Sequence, residues 1–593
     1  MHVLATAGHV DHGKSALLRA LTGMEPDRWE EENRRGMTLD LGFVWTALDS
    51  GERVAFVDVP GHQRFVPTML AGVGPVPAVL FVVAADEGWK QQSAEHLDAL
   101  DALGIRHGLI VVTRCDLADP ASAMAQARDQ VSRTSLRDAE TVAVSAITGH
   151  GMNQVRDAID RLILQLPAPQ PDAPVRFWID RAFTMRGAGT VVTGTLGAGR
   201  VSRGDQLVVH PGGHRVCVRS IQMLGQTTDT ATPVARVALN LRGVSVEQVR
   251  RGHALLTPDA WLPTSVIDVR IRGETSYDHA TCTMHIGSAA IPARVRRLGR
   301  DTVRLTLDTD VPLRVGDIAL LRDPGRHQII GGAIVLDPQP PAFHRRGDAR
   351  RRTDLLATMT GIPHAADELR RRRLIRTHEL RTLGVNGPVT EVTGGWVADP
   401  EHWEQLKAGL VDAVTQHATD FPLEAGLSAD VARQRLDLPD TQIVKALVGD
   451  PLEIRNGRVS LVGFAVSLPP HLQFAVNAIR ADLKTNLWAA PTAQRLEELG
   501  LGPRELDAAV RAGALERIGT EIYLLPGSID AAATTLRALR QPFTVSQARS
   551  TLRTTRRVAV PLLELLDSDG ITCRVSESGR RFMETEGLSP GPR

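Results

Sequence analysis

Eight residues near the start of the chain carry the plainest chemistry: Gly8-His9-Val10-Asp11-His12-Gly13-Lys14-Ser15, a full G-x-x-x-x-G-K-S loop. An apolar run precedes it and the amphipathic ALLRAL follows, so strand, loop and helix stand in the order phosphate binding requires. The N–H groups of Gly13, Lys14 and Ser15 would face phosphate oxygens at a helix start, where the dipole favours anions. Lys14 would neutralise β/γ charge, and the Ser15 hydroxyl would ligate Mg²⁺. A surface glycine loop is the competing reading. Against it, three further elements of a nucleotide site follow in order.

The first of these is Gly36-Met37-Thr38-Leu39. Thr38 could close over a γ-phosphate and give Mg²⁺ another ligand, or could simply lead a strand. Next, an apolar strand ends at Asp58 and turns through Pro60-Gly61-His62. A carboxylate there can hold Mg²⁺ through water, Gly61 can offer its N–H to the γ-phosphate, and His62 can orient the attacking water. Finally, a strand ends in Thr113-Arg114-Cys115-Asp116. Asp116 could accept from guanine N1–H and N2–H₂ together, a pair adenine does not present. Ser145 and Ala146, at the end of TVAVSA, would reach guanine O6.

These groups need a scaffold that gathers strand C-terminal ends. Repeated βα units with short apolar strands predict a mostly parallel sheet flanked by helices over residues 1–170, with ligands at those ends. The whole chain, 593 residues, is too long for one core. It shows no targeting segment and no apolar run of membrane-spanning length, and its four Cys have no metal-ligand spacing; a cytoplasmic location is expected. Net charge is only +1 and aromatics are 4%. A nucleic-acid surface must therefore be local, and a broad base-stacking platform is not suggested.

In order, G-H-V-D-H-G-K-S, R-G-M-T, D-V-P-G-H, T-R-C-D and S-A-x-T-G resemble the translational GTPases. R-G-M-T-L-D-L-G-F (35–43) with a long C-terminal extension resembles the selenocysteine-specific elongation factors among them. The resemblance implies GTP and GDP as ligands, Ser15, Thr38 and Asp58 around Mg²⁺, His62 as the catalytic group, and Val10 and Met37 as its hydrophobic gate. One departure stands out. Thr113-Arg114 replaces the usual Asn-Lys of the guanine motif, which keeps a stem over the base but changes its packing.

After PAPQPDAP the pattern turns to short alternating strands between glycine turns, predicting two antiparallel β-barrels, 174–260 and 264–338. In the resembled family such barrels hold tRNA; Arg294, Arg296, Arg297 and Arg300 are then phosphate contacts or solvated surface. From 341 onward helices lead repeatedly into short hairpins at GGWVADP (394–400), 454–463, 517–527 and 570–583. This suggests four tandem winged-helix modules, at 341–405, 415–465, 470–528 and 530–588. The last carries Arg549, Arg553, Arg556 and Arg557 around a recognition helix at 555–567, and Arg574, Arg580 and Arg581 on its wing. The resemblance makes it the reader of an mRNA hairpin. A solvated charged face is the alternative.

Asp180 and Arg181, at the end of the strand VRFWID, and Arg236 match the family's selenocysteine pocket. Guanidinium groups would favour a selenolate over the uncharged serine hydroxyl, and Asp180 would orient an arginine or cap the site. A barrel-rim salt bridge is the plainer reading. The expected function is GTP-dependent delivery of selenocysteinyl-tRNA to the ribosome at UGA codons by a monomeric factor tethered to the mRNA and using no membrane. The alternatives are a general aminoacyl-tRNA carrier or a winged-helix DNA-binding regulator with a GTPase sensor.

Overall fold

The computed structural model describes residues 1–593 except 27–37, 39, 63–64, 188, 274–279, 327, 465–467, 576–578 and 584–593. The chain divides into two compact units, one of residues 1–371 with 375–389 and one of 372–374 with 390–593.

The first unit opens with β1 (His2–Ala7), α1 (Lys14–Thr22), β2 (Gly42–Ala47), β3 (Arg53–Asp58), α2 (Val66–Val73), β4 (Ala78–Ala84), α3 (Gln91–Ala102), β5 (His107–Thr113), α4 (Ala121–Val131), β6 (Glu140–Ala143) and α5 (Met152–Leu164). The six strands form one sheet in the order β2-β3-β1-β4-β5-β6, antiparallel only at β2. Alternation along β1 explains the layers. Val3 and Ala5 pack with Met69, Leu100 and Ala127 on one face, and Leu4 packs with Leu17, Leu21 and Ile159 on the other. Both faces are covered, so β4 reads as an unbroken apolar run, AVLFVVA, and every residue of it is buried.

Residues 176–256 form an eight-stranded antiparallel sheet around the core of Phe177, Val192, Val218 and Leu239. Pro263–Asp337 form a closed six-stranded barrel filled by Ile267, Met284, Leu305 and Val335. Outside the barrel wall, Asp268 receives both Arg304 and Arg352, and Arg352 also reaches Asp337. Arg352 lies on the helix Asp348–Thr358, so this buried ion network fastens the helix to the barrel.

In the second unit the hairpin expected at 394–400 lies slightly earlier, Glu391–Thr393 with Trp396–Ala398. Gly394 and Gly395 both take positive φ and make its turn, so the strands must flank them. The unit boundary falls inside 341–405. The other hairpins are Leu452–Arg455 with Arg458–Leu461, Glu516–Arg517 with Tyr523–Leu524, and Thr572–Arg574 with Gly579–Phe582. The last joins Phe543–Thr544 in a three-stranded sheet behind helices Val545–Thr551 and Arg556–Ser568, a winged-helix arrangement. Thr544 starts the first of these helices with a reciprocal cap to Gln547. Residues 468–582 share one core, in which Ile479 and Leu506 pack in the same cluster as Leu562 and Phe582. Among the described residues no helix is long and apolar enough to cross a membrane.

Candidate functional site

The glycine loop leaves β1 at Gly8 and enters α1 at Lys14. At Gly8 φ is +125°, and a Cβ would lie 2.2 Å from the Val82 carbonyl oxygen, so β4 excludes any side chain there. Helix α3 braces the loop. The Gly8 N–H donates to His96 Nδ1 at 3.0 Å, and the Val10 N–H reaches Gln92 Oε1 at 3.4 Å. Lys14 crosses the loop to the carbonyls of Gly8 (3.1 Å) and His9 (2.8 Å). Burial pushes its ammonium down to about 8, against the pull of Asp58 and Asp11. Burial likewise pushes His12 down to about 4 and His96 to about 3, so both are neutral at pH 7.

Ser15, Thr38 and Asp58 converge. The Ser15 hydroxyl donates to Asp58 Oδ2 at 2.6 Å and lies 3.1 Å from Thr38 Oγ1. Thr6 donates to the other oxygen of Asp58 at 2.7 Å and fixes its plane. Two hydroxyls and a carboxylate make a hard-oxygen set suited to Mg²⁺. A Cβ on Gly61 would fall 2.5 Å from both Lys14 Nζ and the Val10 nitrogen, so its backbone passes directly over the loop. His62 follows, exposed, its ring set steeply to that of Phe65 at 6.2 Å between centroids. Val10 thus neighbours the segment carrying His62; Met37 lies outside the described residues.

At the base end, the Thr113 hydroxyl donates to the His12 carbonyl at 2.7 Å and ties β5 to the loop. Arg114 stands at φ +56° and pairs with Asp86 at 3.1 Å and Glu87 at 3.0 Å, while also donating to the Asp11 carbonyl. A planar guanidinium can hold these three partners at once, which suits arginine better than lysine here. Asp116 is exposed. Ser145 differs from expectation, because its N–H is committed to the His150 carbonyl at 2.9 Å and its Oγ accepts the Thr148 N–H at 3.1 Å. Its contribution to a base is left to the hydroxyl proton, beside Ala146.

The expected pocket residues also come together. Asp180 is buried and holds Arg236 by both oxygens, with Nη2 at 2.7 Å, and it accepts the Thr193 hydroxyl at 2.8 Å. The Arg236 guanidinium lies 3.7 Å from the centre of the Phe43 ring. Arg181 and Arg236 border a cavity of about 250 Å³ whose walls include Phe43, Trp45, Phe183 and Gln222. Two further residues were not expected. Asp40 receives Arg181 on one oxygen and Arg251 on the other, each at 2.6 Å. Burial raises the Asp40 carboxyl, but the hydrogen bonds from Arg181 and Arg251 outweigh it and leave the group below the usual carboxylate range. Asp40 lies only two residues beyond Thr38, which is the signal that could have drawn attention to it.

Around the recognition helix Arg549, Arg553, Arg556 and Arg581 are exposed. Arg557 donates to the Pro491 carbonyl at 2.8 Å, and Arg574 lies 3.5 Å from Glu564 and 3.7 Å from Asp567. Arg580 corrects the expectation. It is buried with its Nε on Asp567 at 2.8 Å, so it braces the wing from inside and offers nothing to RNA.

Residues 1–165 match the elongation factor Tu GTP binding domain, 265–342 the beta-barrel domain of the selenocysteine-specific elongation factor, and 534–580 the winged helix of elongation factor SelB. Together with the loop geometry, these define a translational GTPase carrying a β-barrel and a C-terminal winged-helix module. A selenocysteine-specific elongation factor of Desulfomicrobium baculatum is 29% identical over 97% of this chain and 98% of its own length. Its Escherichia coli K12 counterpart is 36% identical over 62% of this chain and 59% of its own. The crystal structure of a bacterial selenocysteine-specific elongation factor, EF-Sec, superposes with a TM-score of 0.77 at 25% identity, over 98% of this chain and all of that one. Over nearly its whole length the chain is similar to the selenocysteine-specific elongation factors.

Proposed function

We propose that this protein delivers selenocysteinyl-tRNA to the ribosome at UGA codons in a GTP-dependent manner, while its C-terminal module holds an mRNA hairpin. The observation that carries the reading is the pairing of Arg236 with buried Asp180 at the edge of a cavity that Arg181 also borders. A selenolate entering there meets guanidinium groups already oriented by carboxylates, whereas a serine hydroxyl gains little from them.

For hydrolysis, Ser15, Thr38 and Asp58 would hold Mg²⁺, which would supply positive charge against the phosphates. Lys14 would exchange its two loop carbonyls for phosphate oxygens. The Gly61 N–H would donate to the γ-phosphate, and His62 would orient the attacking water, with Val10 and Met37 limiting access until the ribosome is engaged. Guanine would be read by Asp116 and Ser145–Ala146, with Thr113 and Arg114 securing the loop from below.

We further read the 176–256 sheet as a first barrel and the three preceding helix–hairpin units as winged-helix modules. Arg549, Arg553, Arg556 and Arg581 are the outward contacts for the hairpin. The factor acts as a cytoplasmic monomer. The test is reconstituted translation of an mRNA with an internal UGA followed by the cognate hairpin. Full-length product should require this chain, GTP and selenocysteinyl-tRNA together, and product formed equally well without the chain would refute the reading.

A further inference from the structure

Three guanidinium groups, of Arg181, Arg236 and Arg251, pair with two carboxylates, of Asp40 and Asp180, in and beside this pocket, a set with one net positive charge. Asp180 belongs to the barrel segment, but Asp40 belongs to the nucleotide-binding domain. Its two oxygens bridge Arg181 and Arg251. Arg251 also donates to the Asp180 carbonyl at 2.8 Å and approaches the Thr68 hydroxyl at 3.4 Å. Thr68 lies on α2, the helix that follows His62. Arg251 therefore touches the chain beyond Thr38 and the chain beyond His62 at once.

Two residues before Asp40, Thr38 stands 3.1 Å from Ser15. Two residues of extended chain reach at most about 7 Å. Thr38 thus cannot leave the Ser15–Asp58 cluster by a large distance without pulling Asp40 off its two arginines. Phe43, three residues further on, lies against Arg236. One short stretch of chain touches the Ser15–Asp58 cluster at one end and Arg181, Arg251 and Arg236 at the other.

We propose that Asp40 is a positioning residue that couples nucleotide state to the aminoacyl pocket: with Thr38 drawn to the nucleotide, Asp40 clamps Arg181 and Arg251 in the arrangement that receives the anionic aminoacyl group. The coupling rests on the pocket reading given above. Coupling of this kind is reciprocal, so selenocysteinyl-tRNA must strengthen GTP binding by the factor through which GTP strengthens tRNA binding.

The experiment uses full-length protein and measures selenocysteinyl-tRNA affinity with a non-hydrolysable GTP analogue and with GDP, for wild type, Asp40→Asn, Asp40→Glu and Arg236→Ala. Asp40→Asn should lower the analogue-to-GDP affinity ratio by about tenfold or more, mostly by weakening the analogue complex, a shift within the usual range of coupling energies. Its affinity for the analogue without tRNA should stay within about twofold of wild type, a readout that a merely misfolded variant would not preserve. Asp40→Glu should restore part of the ratio. The tRNA-induced slowing of analogue release should shrink in parallel.

An unchanged ratio in Asp40→Asn overturns the proposal, as does tighter analogue-state binding, which would make Asp40 only a competitor for Arg181. A wild type with no preference between the two nucleotide states overturns it as well. If Arg236→Ala loses selenocysteinyl-tRNA while Asp40→Asn keeps the wild-type ratio, the coupling fails and the pocket stands. If Arg236→Ala binds normally, the pocket reading itself fails.

Discussion

Thr38 Oγ1 stands 3.1 Å from Ser15 Oγ, which itself donates to Asp58. Three residues from three separate segments of the first domain therefore bring side-chain oxygens together around Ser15. Each contributes a hard donor, and Thr6 holds the carboxylate from behind.

Replacing Ser15 with Ala should remove one donor and weaken Mg²⁺-dependent GTP binding by about 10- to 100-fold, the usual range for losing support at a metal site. Thr38→Ala should spare GDP binding and reduce hydrolysis. Titration of Mg²⁺ with a fluorescent guanine nucleotide checks the first outcome. Equal Mg²⁺ dependence in Ser15→Ala and wild type would remove the trio from metal binding.

His96 is buried against the loop and neutral, accepting the Gly8 N–H on Nδ1. Its folded pKa of about 3 lies below the ordinary 6.5. The unfolded chain therefore takes up the proton first. The stability associated with neutral His96 is complete above about pH 6.5 and declines as pH falls toward the folded value, by about 1.4 kcal/mol per pH unit for this one group. Thermal melts of nucleotide-free protein should show a shallower decline between pH 7 and 5 in His96→Asn than in wild type. Parallel curves would contradict the assignment.

Asp116→Asn exchanges an acceptor for a donor opposite guanine N1–H. Preference should move from GTP toward xanthosine triphosphate, whose ring pattern is complementary, by about 10- to 100-fold for one good base contact. A competition assay between the two nucleotides reads this directly, and an unaltered preference would exclude Asp116 from base recognition.

Much of the nucleotide site was legible because each part is a short contiguous signature at a strand end, and the alternation of β1 and the apolar run of β4 mark the sheet. The clamp was not legible. Asp40 and Arg251 are 211 positions apart, and nothing local marks them as partners. Arg580 and Arg581 show another limit. They are adjacent and chemically alike, but successive strand residues face opposite ways, so one is buried on Asp567 and the other is exposed. The last two of the expected tandem modules also touch, Trp488 donating to the Ser528 carbonyl at 3.1 Å and Asn486 to that of Arg553 at 3.2 Å. Contacts across a shared core leave no mark in either segment alone.

Buried Arg580 and exposed Arg556 should respond differently to truncation. Arg580→Ala should destabilise the second unit by about 1–3 kcal/mol, because it takes the nearest cation from the Asp567 carboxylate and leaves it only Thr572 and the more distant Arg574. Arg556→Ala should leave the melting temperature unchanged and weaken binding of an mRNA hairpin, with the slope of log affinity against log salt reduced by about 1 if one phosphate contact is lost. Melting curves and salt titrations on the full chain separate the two. Arg556→Ala with unchanged affinity and slope would mean that this helix does not face RNA.

On the proposed function, the cationic pocket reads the charge of the amino acid. The direct measurement is the affinity, with GTP, of selenocysteinyl-tRNA and seryl-tRNA built on the same tRNA, for wild type, Arg181→Ala and Arg236→Ala. Wild type should prefer the selenocysteinyl form strongly. Each variant should lose about 100-fold or more of that preference, the scale of removing one partner from a buried charge pair, while its affinity for the seryl form scarcely moves. Equal losses for both forms would contradict the account, making the arginines holders of the tRNA end rather than readers of selenium.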